Sequence, residues 1–92
     1  MENFDAENAV QISEKTRLND LKRLVDASIQ AAVDRLPASD KRSPRAHEEA
    51  ATLGVLDVYF DHYYHPEAEK QQIYQYGMLQ AKRRAQIVKD AI

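Results

Sequence analysis

Six residues near the middle of the chain have the side chains of a metal site: His62 and His65, with Asp57, Asp61, Glu67 and Glu69 close by in sequence. A lasting site needs three or four ligands that converge, each held by a further hydrogen bond. The spacing works against that. His65 stands before Pro66, at a break between elements, so the two imidazoles need not meet, and neither a cysteine nor the third histidine is near. The expectation is a solvated, hydrogen-bonded corner without metal or cofactor. His47-Glu48-Glu49-Ala50-Ala51 opens like the zinc-protease motif, but Ala51 stands where the second histidine is required.

Nucleophilic catalysis has as little support. Ser13, Ser28, Ser39 and Ser43 are scattered, with no histidine at a linked spacing, and the Asp57/Asp61 couple at i, i+4 reads as a solvated ridge. The two glycines, Gly54 and Gly77, are too few for a phosphate-cradling loop, and the absence of cysteine removes disulfide and thiol chemistry. The chain reads as no enzyme.

Binding chemistry is better represented. All five tyrosines lie between Tyr59 and Tyr76 (Tyr59, Tyr63, Tyr64, Tyr74, Tyr76), with Phe60 among them. Such rings either fill the wide end of a helical bundle or form a contact surface, where tyrosine is enriched. Basic residues cluster twice, at Lys41, Arg42 and Arg45 and at Lys82, Arg83 and Arg84 with Lys89. Nucleic-acid binding needs its cations on one face, whereas Lys82, Arg83 and Arg84 point about 100° apart around a helix. The turn before Glu67 has the length of a helix-turn-helix turn, but Glu67 and Glu69 would present negative charge to phosphate. With a net charge of -2, nucleic acid is the secondary reading.

These residues are carried by helices. The 92 residues, 43% hydrophobic and 30% charged, form one domain of ordinary globular composition, with no run apolar enough to span a membrane. The start, Met1-Glu2-Asn3-Phe4-Asp5, is no signal peptide, and with zero cysteines this suits a cytoplasmic protein. Residues 1–15 read as a helical extension or arm, in which Asp5 could cap a helix with Phe4 and Ala9 as staple. Residues 16–92 read as a three-helix domain. The first helix carries Leu18, Leu21, Val25, Ile29, Ala32 and Leu36 on one stripe, widened by Leu24 and Val33, and ends at Pro37. Ser43-Pro44 restarts the second helix as N-cap and first helical residue. Pro66 likewise opens a long third helix with the seam Tyr74, Met78, Ala81, Ala85, Val88 and Ile92, and with Ile73, Tyr76 and Ile87 on a secondary line. The architecture is all-α: a three-helix bundle or an elongated helical hairpin-plus-one, with long first and third helices.

The central helix, read from Ala46 to Tyr64, is apolar on two faces. One stripe is Ala46, Ala50, Leu53, Leu56, Phe60 and Tyr64; the other is Ala51, Val55, Val58 and Tyr59, extended by His62. Two neighbours in a small bundle cover one stripe and leave the other for a partner. The first stripe is the expected core side, with Leu21, Val25, Ile29, Leu53, Phe60 and Val88 buried. The second becomes the expected protein interface: Ala51, Val55, Val58, Tyr59, His62, Tyr63 and Tyr76. The functional expectation is a non-enzymatic helical protein that binds another protein, or itself as a homodimer. Size and absence of chemistry suit a regulatory, inhibitory or assembly subunit of the kind bacteria and phages encode. The alternative is an accessory nucleic-acid-binding protein using Lys41, Arg42, Arg45, Lys82 and Arg83.

Overall fold

A computed structural model of the protein describes the backbone of residues 2–92 and the side chains from Arg17 onward. Helix α1 spans Glu2–Asp34, α2 spans Pro44–Asp61 and α3 spans Glu67–Ala91, with a single 3-10 turn, Ala38–Asp40, between the first two. Each helix packs on the other two, so the fold is an all-α three-helix bundle with no strand among the described residues. The cap at Asp5 and the Phe4/Ala9 staple lie outside the described side chains.

The helix ends follow their local chemistry. The last turn of α1 tightens before Pro37, with the Arg35 and Leu36 N–H groups donating to Ala32 and Val33 carbonyls at 3.3 and 3.1 Å. Ser43 adopts extended backbone angles, and its hydroxyl accepts from the Ala46 N–H at 3.2 Å, with Pro44 as first helical residue. Two boundaries differ from the sequence reading. Helix α2 stops at Asp61 rather than Tyr64, where the His62 N–H donates back to Val58 and Tyr59 carbonyls. Pro66 is the N-cap of α3 and not its first helical residue, its carbonyl accepting from the Glu69 and Lys70 N–H groups at 3.0 and 3.2 Å.

The core consists of Leu21, Val25, Ile29 and Val33 from α1, Ala50, Ala51, Val55 and Val58 from α2, and Ile73 and Ala81 from α3. On α1 the seam therefore continues to Val33, while Leu18 and Leu24 are exposed. On α3 it is turned from the expected line: Ile73, Gly77 and Ala81 are buried, Met78, Ala85 and Val88 are half-buried, and Tyr74 and Ile92 are exposed.

The central helix is turned further. Ala51, Val55 and Val58, the expected interface, are buried in the core, with Val55 at 0% exposure. Leu53 and Phe60, the expected core, are each 63% exposed. The cause is how closely the helices approach. A Cβ on Gly54 would lie 2.8 Å from the Ser28 carbonyl oxygen and 3.1 Å from the Ile29 Cα, so α1 lies directly on the glycine backbone. A Cβ on Gly77 would lie 2.3 Å from one Val55 methyl, so Val55 occupies the space that side chain lacks. The Ser28 hydroxyl donates to the Gly54 carbonyl at 2.7 Å and ties the crossing. Small residues let helix axes come together, and leucine or phenylalanine at these positions would hold them apart.

Candidate functional site

The exposed face of α2 carries large apolar side chains in water. Leu53, Leu56 and Phe60 stand at i, i+3 and i+7, and Tyr64 follows in the turn past the helix end. Leu56 is half-buried, and Tyr64 is 96% exposed with its ring edge-on to Tyr63 at 5.1 Å. Tyr59 packs on the core edge and steadies this end, with Phe60 and Tyr74 edge-on at 5.8 and 6.2 Å. Open grooves run on both sides of Leu53. One lies between α1 and α2, lined by Ala32, Arg35, Leu36, Ala50 and Asp57; the other is lined by Arg45, Glu48, Glu49 and Thr52.

Charge surrounds this stripe unevenly. Arg45 pairs with Glu49 at 3.0 Å, whereas Glu48, Asp57 and Asp61 have no cationic partner within ion-pair distance among the described residues.

The other expected site residues have structural occupations. Tyr76 is half-buried and straps α3 to α1, its hydroxyl donating to the Asp26 carboxylate at 2.8 and 2.9 Å. Burial first, and then the Asp26 hydrogen bond and charge, push its pKa up. Lys22 lies 5.6 Å from the centre of the same ring. His62 is half-buried, with Nδ1 2.9 Å from the Val58 carbonyl, which requires that nitrogen to carry the proton. Tyr63 is exposed, with Lys70 5.2 Å from its ring centre.

At the corner, the His62 and His65 rings lie 4.6 Å apart. His65 Nδ1 meets Glu69 at 3.1 Å, and the other Glu69 oxygen pairs with Arg17 across the bundle. Glu69 is thus a buried carboxylate held from α1 and from the corner. On the neighbouring turn, hydrogen bonds from Lys70 and Gln71 lower the Glu67 pKa, and Glu67 raises that of Lys70. Among the described residues no three histidine, aspartate or glutamate side chains gather where a cation could be held.

Lys41, Arg42, Lys82 and Arg83 are exposed. Lys41 and Arg42 border an open hollow beside Ile87, Val88, Ala91 and Ile92 at the end of α3, while Arg84 turns inward and donates to Gln30 at 2.7 Å. No described helix is long and apolar enough to cross a membrane.

Leu53 and Phe60 are the surface residues that sequence reasoning placed inside. The signal that could have found them is the pair Ala51 and Gly54, two small residues turned well away from Leu53 around α2. Comparison with known proteins gave no match to a family model, a curated protein or a solved structure.

Proposed function

We propose that this protein is non-enzymatic and works by binding another protein through the exposed face of α2, as a regulatory, inhibitory or assembly subunit. One observation carries the reading: α2 spends its small residues on the core and leaves Leu53 and Phe60 in water on the far side. Covering a leucine or phenylalanine is worth about 1.5–3 kcal/mol each, so a partner on this face gains several kcal/mol from two side chains alone. Apolar surface concentrated on one face and bordered by charge is typical of protein contact sites. Zero cysteines suit a reducing compartment, which supports cytoplasmic action.

The test is a photo-crosslinking amino acid placed at Phe60 and, as a control, at the exposed Asp20 on α1. The full chain carrying either one is expressed in its native host and irradiated. An adduct is expected from position 60 alone, and Leu53→Asp should abolish it. No adduct at 60, or equal adducts from both positions, refutes the reading. Tight binding to generic DNA or RNA that falls steeply with salt and is lost in Lys82→Glu/Arg83→Glu would replace it with nucleic-acid binding.

A further inference from the structure

The chemistry around Leu53 narrows the partner. Helical geometry puts Leu53 and Phe60 within about 20° of each other, with Asp57 about 40° and Asp61 about 80° to one side of Leu53. Glu49 flanks the stripe on the other side, with Glu48 further round. Against these four carboxylates stand Arg45, already paired with Glu49, and Arg35 across the groove. The surroundings of the stripe are therefore net acidic, and the free carboxylates Asp57 and Asp61 lie along one edge for a full helical turn.

A second copy of the chain fits this face poorly. A two-fold contact that sets Leu53 against Phe60 of the other copy brings Asp57 beside its own symmetry mate, and like charges in a drying contact repel. The helical part of the stripe, Leu53 to Phe60, is about 10 Å long, or two helical turns. Leu53 stands as a ridge with an open groove on either side, and ridges set into grooves are how one helix lies along another.

We infer that the occupant is an amphipathic helix with basic flanks. Large apolar side chains at i, i+3 or i+4, and i+7 meet Leu53, Leu56 and Phe60, and lysine or arginine beside them meets Asp57 and Asp61. The inference rests on the protein-binding reading above and specifies the partner's chemistry.

Two synthetic 16-residue helical peptides test it. They share one leucine stripe, but one carries lysine on its flanks and the other glutamate. Each is labelled and titrated with the full-length protein by fluorescence anisotropy at 50 and 500 mM salt. The lysine peptide should bind one to one, at least about tenfold tighter than the glutamate peptide, and weaken at high salt. Leu53→Ala/Phe60→Ala should cost about thirtyfold or more in affinity with the melting temperature nearly unchanged. Asp57→Lys/Asp61→Lys should reverse the preference between the peptides.

Equal affinity for the two peptides, binding of neither, or binding that survives Leu53→Ala/Phe60→Ala overturns the inference. So does a homodimer in sedimentation equilibrium that these two alanines dissolve, which would give the face to a second copy. A crosslinked partner from position 60 whose contact helix is acidic or neutral overturns the basic-helix inference and leaves the protein-binding reading standing.

Discussion

Gly54→Ala tests the packing that turns the Leu53 face outward. In a solvated helix, this change stabilises by about 1 kcal/mol, because alanine is the better helix former. At this position the new methyl would stand 2.8 Å from the Ser28 carbonyl oxygen and 3.0 Å from its carbon. Both are backbone atoms of α1, so no side chain can rotate aside and the helices must separate. Overpacking of this kind costs about 1–3 kcal/mol. Separation also stretches the 2.7 Å hydrogen bond from the Ser28 hydroxyl to the Gly54 carbonyl, worth about 0.5–1.5 kcal/mol. The balance is a net loss of about 0.5–3.5 kcal/mol, which in a domain of this size lowers the melting temperature by roughly 2–28 °C. Thermal and urea unfolding followed by circular dichroism measure it. A higher melting temperature for Gly54→Ala would refute the reasoning, because it would show that helix propensity acts there without α1 in contact.

Three further outcomes follow from the same structure. Val55→Asp should abolish the helical signal in circular dichroism, since an unpaired charge at a fully buried position costs several kcal/mol of a total of about 5–15; a folded variant would mean that the stripe is not internal. Phe60→Ala should cost under about 1 kcal/mol in urea unfolding, as exposed substitutions do, and a loss of about 3–5 would put the ring back in a core. The Tyr76 pKa is raised from an ordinary value of 10.0, so its neutral form is favoured by folding. That stabilisation is complete below pH 10.0 and is lost as pH rises through the higher folded value; Tyr76→Phe should remove this alkaline component and cost about 1 kcal/mol near neutrality, both read from urea unfolding across pH.

Element type and order were legible in the sequence because they depend on local signals. Pro37, Ser43-Pro44 and Pro66 punctuate the chain, and the 3.6-residue rhythm of Leu21, Val25 and Ile29 marks the inward face of α1. The two apolar stripes of α2 were equally visible, but which one faces inward was not. Ranking them by size favours Leu53 and Phe60, whereas the bundle chose Ala51, Gly54 and Val55 because its helices approach too closely for larger side chains. That distance belongs to three helices together and is written in no single one of them. The place of Gly77 in the packing becomes visible only once Val55 is set against it. For the same reason the stripe expected to be open, Ala51, Val55 and Val58, is buried, and the stripe expected to be core leaves Leu53 and Phe60 exposed. Tyr76 drew attention as part of an aromatic cluster, but its partner Asp26 lies fifty residues away in sequence and only the folded chain joins them.

Consecutive residues of α2 are held by different neighbours: Gly54 by the backbone of α1, and Val55 by the gap at Gly77 of α3. A helix keyed this way cannot roll or slide without breaking both fits at once. Leu53 and Phe60 are therefore held at a fixed angle, and on the proposed reading the ordering entropy of association would fall mainly on the incoming helix. The arrangement also makes the outer face answerable to residues it never touches. A Gly77 substitution that shifts Val55 tilts α2, so it would re-aim the proposed contact face while every side chain on that face stays in place.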